Sequence, residues 1–362
     1  MLYEGEDVIS GLMKAARALL RTVKYHVRDR IGTIKPCKLR LAITSRCNAR
    51  CSMCDAWRRP LESEMSLDDY ERVFSVSASF LSKTKHVSLT GGEPTLRDDL
   101  VDVVRLVSQR LPGASVNINT NALLAERVER MTREILSFRD QLMVIVSLDG
   151  LGDVHDKVRG VPGAFERADS AVASLLSLSQ ELRAKRLSLE INYTATDGSC
   201  EQYEPMLDYC ADKGIDLNLI VPMSGVIYRK EGEPPALSDD HAGRLAKVLR
   251  RRLASDYDIK RAIIIDVLEG KGRQFDCWAG RLVVFIDADG TVYPNSSCPA
   301  RLRMGNVLED GFDLARVFRS KIGKKAVAEA RTCRECQVAC ETGTTLVLPE
   351  AWYAYRRASR RT

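Results

Sequence analysis

The sequence predicts an α/β fold built around a parallel sheet. Six short apolar runs alternate with stretches of helical periodicity from residue 38 to about residue 221. Strands joined by crossover helices pair in parallel and carry helices outside the sheet, so either an open doubly wound sheet or an incomplete barrel is expected. Beyond a linker with prolines, glycines and acidic residues, a second unit contains a β-hairpin signal with its turn at residues 287–290.

The elements follow one another with short connections. The predicted strands are Leu39–Thr44, His86–Thr90, Ser115–Thr120, Leu142–Leu148, Leu187–Thr194 and Leu217–Val221. The predicted helices cover residues 67–81, 97–111, 124–138, 164–184, 201–213 and 239–254. The hairpin consists of Leu282–Ile286 and Thr291–Tyr293. In parallel barrels the chemistry lies at the carboxyl ends of the strands, so the polar residues after these strands are the site candidates.

A basic amphipathic helix is predicted at the amino terminus. Apolar residues recur at helical spacing over residues 8–31, namely Ile9, Leu12, Ala16, Leu19, Leu20, Val23, Val27 and Ile31. Five basic residues lie mostly off that stripe, namely Lys14, Arg17, Arg21, Lys24 and Arg28. The helix either packs on the main domain with a solvated basic face, or contacts a membrane surface or an acidic partner.

Composition narrows the class of protein. The chain has 362 residues, a net charge of +6 and no run of about 18 apolar residues of the kind that spans a membrane. Its acidic start, Glu4, Glu6 and Asp7, lacks the pattern of a signal peptide, so a cytoplasmic location is expected. The excess positive charge lies at the two ends, and nucleic-acid binding is therefore not expected. Eleven cysteines in such a chain are better interpreted as metal ligands or buried thiols than as disulfides.

The most specific motif follows the first strand. Cys47, Cys51 and Cys54 supply three thiolates within eight residues. Three thiolates can hold three corners of a cubane iron–sulfur cluster and leave its fourth iron open to another ligand. A structural zinc site is the alternative, but it needs four ligands, and no histidine or fourth cysteine lies nearby in the sequence.

A glycine-rich turn follows the second strand. Gly91 and Gly92 let backbone approach a ligand closely, and the Glu93 carboxylate before Pro94 can accept hydrogen bonds from a cationic amine. An ordinary strand-to-helix turn is the alternative interpretation. Its place one βα unit after the cysteine loop favours a shared site.

These two motifs, CxxxCxxC and Gly-Gly-Glu-Pro, resemble the signature of the radical S-adenosylmethionine (SAM) superfamily. The resemblance implies a partial (βα)6 parallel barrel and a [4Fe–4S] cluster whose open iron chelates the methionine moiety of SAM. It implies reductive cleavage of SAM to a 5′-deoxyadenosyl radical that abstracts a hydrogen atom from the substrate. The glycine-rich turn would contact the methionine amino group.

The resemblance also implies further cofactor-binding residues after the later strands. Asn121 follows the third strand, and Ser147 and Asp149 end the fourth; they match positions that approach the ribose and carboxylate of SAM. Asn192 and Thr194 are predicted to face the cofactor from the fifth strand. Residues 155–160 continue the loop after Asp149, and they are similar to a segment of relatives with an auxiliary-cluster domain. Relatives often have an aromatic residue before the third cysteine, where this chain has Met53, whose thioether can pack against adenine.

The carboxyl-terminal cysteines resemble the SPASM or twitch extension of radical enzymes, a small α+β domain that holds an auxiliary [4Fe–4S] cluster. The candidate ligands are Cys277, Cys298, Cys333, Cys336 and Cys340. Five cysteines suffice for one auxiliary cluster, which favours the twitch-like form with two ligands from the last three. A zinc site built from the same thiolates is the alternative.

Three cysteines remain, Cys37, Cys200 and Cys210, and each is expected to be a buried thiol. Cys200, on the loop after the fifth strand, is the candidate catalytic residue because a thiol near the substrate could donate a hydrogen atom to a product radical.

The predicted division of the chain has five parts. They are the amino-terminal helix (1–36), the partial barrel (37–227), a linker and helix (228–274), the auxiliary-cluster domain (275–342) and a basic tail (343–362). The predicted activity is oxidation or rearrangement of a small molecule, such as a sugar, an alcohol or a lipid headgroup, with electrons from flavodoxin or ferredoxin. The alternatives are a maturase that modifies a peptide or protein, and a non-catalytic electron carrier or zinc scaffold.

Overall fold

The computed structural model describes residues 27–28, 35–58, 63–183, 185–222, 225–226, 228, 237–255, 259–271 and 277–333. The strands are β1 (Lys38–Thr44), β2 (His86–Gly91), β3 (Ser115–Thr120), β4 (Gln141–Ser147), β5 (Arg186–Thr194), β6 (Asp216–Ile220), β7 (Val283–Ile286), β8 (Thr291–Tyr293) and β9 (Gly305–Asn306). They form one nine-stranded sheet in the order β6-β5-β4-β3-β2-β1-β7-β8-β9.

The helices connect and cover these strands. They are α1 (Leu67–Val76), α2 (Ala78–Leu81), α3 (Leu100–Arg110), α4 (Ala125–Phe138), α5 (Asp153–Arg159), α6 (Ala164–Glu181), α7 (Tyr203–Lys213), α8 (Asp239–Ser255), α9 (Ile259–Leu268), α10 (Leu314–Arg319) and α11 (Lys321–Thr332). The first begins with a capping box, in which Ser66 and Asp69 bond each other's backbone N–H.

Strands β1 to β6 lie in the sheet in their sequence order, and each pairs in parallel with its neighbours. Right-handed crossovers that always advance in one direction place all their helices on one face of the sheet. A doubly wound sheet would reverse direction once. The described sheet ends in β6 on one side and β9 on the other, so it is a partial barrel, as predicted.

The two faces of the barrel sheet differ in polarity. In β1 the side chains of Leu39, Leu41 and Ile43 are fully buried in the main hydrophobic core. Lys38 and Arg40 alternate with them and line a cavity on the opposite, concave face. Because side chains alternate across a strand, this period of two keeps apolar packing under the helices and polar groups inside the barrel.

The carboxyl-terminal hairpin is part of the same sheet. Strand β7 pairs in parallel with β1, with Lys38 opposite Val283, and β8 pairs antiparallel with β7, with Phe285 opposite Tyr293. The hairpin prediction is confirmed. Its union with the barrel sheet was not predicted, because pairing between residues so distant in sequence leaves no local pattern.

Every end of the predicted strands lies within one residue of the observed end, while one loop prediction is wrong. Residues 155–160 were expected to continue the loop after Asp149, but Asp153–Arg159 is helix α5, which ends at Gly160 in a left-handed conformation. Asn192 and Thr194 lie within the last three residues of β5.

Several predictions concern residues outside those that the structure describes. They are most of the amino-terminal helix, most of the linker at 228–236, Cys336, Cys340 and the tail at 343–362. Within the described ranges, no helix is long and apolar enough to cross a membrane.

Candidate active site

A cavity of about 340 Å³ opens at the carboxyl ends of the barrel strands and extends into the barrel. The loop after β1 contributes Cys47, Cys51 and Cys54 to its wall, and the turn after β2 contributes Gly91, Gly92 and Glu93. The strands themselves contribute polar side chains from the concave face. The structure therefore joins the two motifs that the sequence singled out in one site.

Each of the three cysteine sulfurs in this loop has an N–H group within hydrogen-bond distance. Asn121 Nδ2 lies 3.9 Å from Cys47 Sγ, Arg159 Nη1 lies 3.6 Å from Cys51 Sγ, and the Ala56 N–H lies 3.4 Å from Cys54 Sγ. N–H groups directed at sulfur stabilise thiolate ligands and tune the potential of an iron–sulfur cluster. This donor set fits three thiolates that hold a cluster.

Without metal, these thiols resist ionisation. Burial raises the pKa of Cys47 to about 12 and that of Cys54 to about 11, and the neighbouring cysteines add to the shift. Metal coordination deprotonates such a thiol outright. Among the described residues, no three His, Cys, Asp or Glu side chains converge tightly enough for a single metal ion.

Gly91 and Gly92 bring two loops together. The Gly92 N–H donates to Thr44 O at 2.8 Å, and the Glu93 N–H donates to Arg46 O at 2.7 Å. A Cβ on Gly92 would lie 2.1 Å from Arg46 O, and one on Gly91 would lie 2.2 Å from Thr44 O. The glycines are thus required for packing of the cysteine loop against this turn, in addition to any approach of a ligand.

Glu93 connects the ends of β2 and β3. Its side chain is buried and accepts from the Thr95 N–H and hydroxyl, the Thr120 hydroxyl at 2.7 Å and the Asn121 N–H at 2.7 Å. Burial raises the pKa of Glu93, and these donors counteract part of the shift. Both oxygens are engaged within the protein, so Glu93 holds Asn121 beside Cys47.

A buried ion pair connects β4 and α5 to the cysteine loop. Arg159 Nη2 lies 2.7 Å from Asp149 Oδ2, and Asp149 Oδ1 accepts from the Thr194 N–H at 2.9 Å. The same guanidinium reaches Cys51 Sγ. Asp149 therefore acts through Arg159 and Thr194, because its own carboxylate is fully buried and does not line the cavity.

Helix α5 also holds the cysteine loop through its backbone. The Arg50 N–H donates to Arg159 O at 2.8 Å, and the Ser52 N–H donates to Val158 O at 2.9 Å. Gly160 has a φ of +63°, and a Cβ there would lie 2.6 Å from Arg50 O. The carboxyl end of α5 is thus a second backbone support for the three cysteines.

A row of amides crosses the concave face inside the cavity. Asn218 donates to Asn192 at 2.8 Å, Asn192 donates to Asn119 at 3.5 Å, and Asn119 donates to Leu89 O at 3.1 Å. Asn117 extends the row by donating to Ser88 Oγ. Each amide offers both donor and acceptor atoms, so the row presents polar groups to whatever fills the barrel.

Charged side chains complete the described inner wall. Lys38, Arg40 and Lys260 line it together with Glu190, and Arg40 donates to Ser296 Oγ at 2.8 Å. Burial raises the pKa of Glu190, and the positive charge of Lys260 counteracts part of that shift. The interior of this barrel is hydrophilic, unlike the layered apolar interior of a closed (βα)8 barrel.

Most of the cofactor-binding candidates from the sequence lie on this wall. They are Met53, Gly91, Gly92, Glu93, Asn121, Ser147, Asn192 and Thr194. Pro94 does not line the cavity; it is buried at the start of a short 3₁₀ turn, Pro94–Leu96. Cys200 is buried in the main hydrophobic core and is not among the lining residues. Its position there fits packing rather than hydrogen donation.

Three of the carboxyl-terminal cysteines, Cys277, Cys298 and Cys333, belong to the described residues. Cys277 and Cys298 pack in one small cluster with Ala330 of α11, and Cys333 caps that helix three residues later. Ser296 and Ser297, directly before Cys298, line the main cavity. The segment that leads to Cys298 therefore borders the site.

Two contributors were missed in the sequence. Arg159 lies within the segment 155–160 without a motif of its own. Glu64 lies outside every motif, although it accepts from the Ser45 N–H and the Thr44 hydroxyl at 2.8 Å. The amide row had a readable signal. Asn117 and Asn119 stand two residues apart between apolar residues of a strand, which indicates a polar face.

Comparison with known proteins identifies the family. The family model described as "Radical SAM superfamily" matches residues 41–230, more than half of the chain. Pre-heme d1 synthase from Dinoroseobacter shibae is 26% identical over 265 residues, which is 73% of this chain and 58% of that protein. Sporulation killing factor maturation protein SkfB from Bacillus subtilis is 26% identical over 315 residues, 85% of this chain and 71% of that protein.

The fold is shared with solved structures. Streptococcus suis SuiB bound to S-adenosylmethionine superposes with a TM-score of 0.62 at 19% identity, covering 86% of this chain and 72% of that chain. This likeness confirms the partial barrel. The chain spans less than two thirds of the length of the Dinoroseobacter relative.

Proposed function

This chain belongs to the radical SAM superfamily, whose members are enzymes that bind a [4Fe–4S] cluster and SAM, and from that membership we propose that it oxidises or rearranges a polar small molecule. When bound, the cluster and SAM supply an electron and a 5′-deoxyadenosyl radical that takes a hydrogen atom from the substrate. The observation that carries the proposal is that the three cysteines and the amide row line one cavity.

Cys47, Cys51 and Cys54 would hold the cluster as thiolates. The N–H groups of Asn121, Arg159 and Ala56 near the three sulfurs favour the charged form of these ligands. The two glycines after β2 keep the cysteine loop in place through backbone contacts. This arrangement supports a preorganised loop rather than one that folds only around its metal.

SAM would lie between the cysteine loop and the strand ends. The backbone carbonyls of Gly91 and Gly92, two partly buried residues of the wall, would accept from its ammonium group, while Ser147, Asn192 and Thr194 offer polar atoms on the same wall. Met53 would pack against adenine. Asp149 would act indirectly, because it fixes the Thr194 backbone and the Arg159 guanidinium.

The substrate would occupy the barrel interior beyond SAM. The amides of Asn117, Asn119, Asn192 and Asn218 can bind hydroxyl groups, which both donate and accept hydrogen bonds. The charged side chains beside them favour a polar substrate over an apolar one. These contacts support a sugar-like or alcohol substrate.

The carboxyl-terminal cysteines would bind an auxiliary [4Fe–4S] cluster that exchanges an electron with the substrate radical. Cys277, Cys298 and Cys333 are its described candidate ligands, with Cys336 and Cys340 as further candidates. Ser296 and Ser297 bring this segment to the cavity wall. Reduced flavodoxin or ferredoxin would supply the electron for SAM cleavage.

Isotope transfer tests the activity and the substrate class together. Anaerobically reconstituted protein, SAM and dithionite are incubated with fractions of an extract from cells grown on deuterated medium. We expect deuterium in 5′-deoxyadenosine with the small-molecule fraction, and no 5′-deoxyadenosine from the Cys51→Ala variant. If the intact protein formed no 5′-deoxyadenosine, the proposed enzymatic activity would be disproved. The remaining alternative would be a non-catalytic electron carrier or zinc scaffold.

A peptide-modifying activity is the second candidate. It is favoured by the similarity to the SkfB maturation protein, which extends over 85% of this chain. Deuterium transfer from the peptide fraction alone would establish this alternative and exclude a small-molecule substrate.

A further inference from the structure

A second concave surface lies away from the active site. It is a groove of about 630 Å³ between α2, α10 and α11, which we call the basic groove. Its apolar lining consists of Pro36, Phe80, Ala315, Phe318, Val327 and Ala328. The ring centroids of Phe80 and Phe318 lie 4.8 Å apart, which gives the groove an aromatic floor. None of the cysteine or amide residues of the active site lines it.

The polar lining of the basic groove is cationic. It contains Lys35, Arg281, Arg319, Lys324 and Arg331, and no acidic residue is among its described lining residues. Asp313 lies 3.7 Å from Arg319 and neutralises part of this charge. Between residues 314 and 332 the sequence has six basic residues and a single acidic residue, Glu329, which pairs with Arg301.

The helix beside the groove exposes an apolar side chain among lysines. Ile322 is 63% exposed, more than any other large apolar side chain among the described residues. Lys321, Lys324 and Lys325 of the same helix are also exposed. An apolar residue within a basic surface is typical of proteins that insert shallowly into an anionic lipid surface.

The chain enters this surface from the basic amino-terminal segment. Residues 8–31 show the amphipathic basic pattern in the sequence, and Lys35, four residues later, already lines the groove and donates to Ser79 O at 2.6 Å. The amphipathic basic pattern of residues 8–31 is therefore adjacent in the chain to the basic groove.

We propose that the basic groove and the exposed face of α11 dock this protein on an anionic phospholipid bilayer. The phosphates pair with Arg319, Lys324 and Arg331, and Phe80 and Phe318 contact the apolar part of the lipid. Each basic residue near such a surface raises partitioning about fivefold. An acidic protein partner would match the charge, but it would not require the aromatic floor or the exposed Ile322.

Vesicle sedimentation with the full-length, reconstituted protein tests this proposal. Wild type is expected to sediment with vesicles of equimolar phosphatidylcholine and phosphatidylglycerol, and to stay in solution with phosphatidylcholine alone. The triple variant Arg319→Gln, Lys324→Gln, Arg331→Gln should lose partitioning about a hundredfold. The control variant Arg130→Gln, Arg183→Gln, Lys247→Gln makes the same change in net charge on exposed residues outside the groove and should bind like wild type.

Three results would overturn the proposal. Equal losses in both triple variants would indicate attraction to net charge only. Inorganic phosphate that displaces wild type from vesicles at equal ionic strength would indicate a site for free anions. Normal vesicle binding by the groove variant, with cleavage of SAM lost under reduced flavodoxin but kept under dithionite, would assign the groove to an acidic redox protein.

A second variant protects the test against misfolding. Ile322→Ser removes an exposed side chain that packs little, and it should lower partitioning severalfold with iron content unchanged. With dithionite as the reductant, every groove variant is expected to cleave SAM as wild type does. If wild type failed to cleave SAM, the proposed function would be wrong. Vesicle binding would still test the proposal for the groove.

Discussion

The guanidinium of Arg159 lies between the carboxylate of Asp149, at 2.7 Å, and the sulfur of Cys51, at 3.6 Å. Both charged side chains are buried, at 8% and 0% exposure. Loss of one partner of a buried ion pair strongly destabilises the folded protein, because the other charge is left uncompensated. The Asp149–Arg159 pair therefore couples the end of β4 to the cysteine loop.

Replacement of Asp149 by Asn is expected to destabilise the protein by about 3–5 kcal/mol. The amide is nearly isosteric and can still accept from the Thr194 N–H, so the loss reports on charge rather than on shape. Anaerobic urea denaturation followed by circular dichroism measures it. Asp140→Asn removes the carboxylate that pairs with Lys185 on the surface, and it should have little effect. Equal effects from both variants would contradict the prediction.

The Gly92→Ala variant is expected to lose most of its active-site iron. The added methyl group would lie 2.1 Å from Arg46 O, so the turn after β2 and the cysteine loop must separate. Iron analysis after reconstitution measures the loss. Gly113→Ala is the matched control, since nothing lies within 4 Å of its Cβ position. Full iron content in Gly92→Ala would show that the close approach is dispensable.

The free energy of unfolding is expected to depend on pH through His155. Its side chain is buried, its Nδ1 accepts from the Asp149 N–H at 3.0 Å, and burial lowers its pKa to about 3, with Arg159 adding to the shift. Unfolded His155 titrates near its usual pKa of 6.5. Between these values the unfolded state binds a proton that the folded state does not, so stability falls as the pH is lowered from 6.5 towards 3.

The His155→Asn variant should remove this slope. The Asn Oδ1 can replace Nδ1 as acceptor but does not titrate. The stability difference between wild type and variant should change by up to about 1.4 kcal/mol per pH unit below pH 6. Urea titrations of both proteins at several pH values measure it. A difference that is constant with pH would refute the assignment of this titration to His155.

The Cys298→Ala variant should bind about four iron atoms, against about eight in wild type, because one of two [4Fe–4S] clusters is lost. Cleavage of SAM should continue without coupling to product, since the cysteine loop is unchanged. Iron analysis and assay of 5′-deoxyadenosine measure both effects. Cys210→Ala, a buried thiol of α7, is the control and should keep all of its iron. About four atoms in wild type would exclude the auxiliary cluster.

Local patterns in the sequence were sufficient to predict the strands of the barrel. Ser115–Thr120 was predicted at its observed bounds, because a strand of alternating polarity between two helices is specified by nearby residues. The cysteine loop and the glycine-rich turn were placed in one site because both follow neighbouring parallel strands.

Contacts between distant segments could not be predicted from such local patterns. The pairing of β7 with β1 and the contact of Arg159 with Cys51 depend on the assembled fold. Helix α5 was missed because it is short and lies between glycines, Gly152 and Gly160, that usually indicate loops. Cys200 lies in the core and does not line the cavity, because position after a strand does not reveal which of the two a side chain faces.

The place of β1 between β2 and β7 has a consequence for synthesis on the ribosome. Until translation has passed Ile286, β2 is the one described strand that can pair with β1, and the edge of β1 that later meets β7 has no strand beside it among the described residues. An unpaired edge of this kind promotes aggregation of nascent chains. The cysteine loop directly follows β1, so the strand that leads into the site keeps one uncovered edge until the residues of β7 have been synthesised.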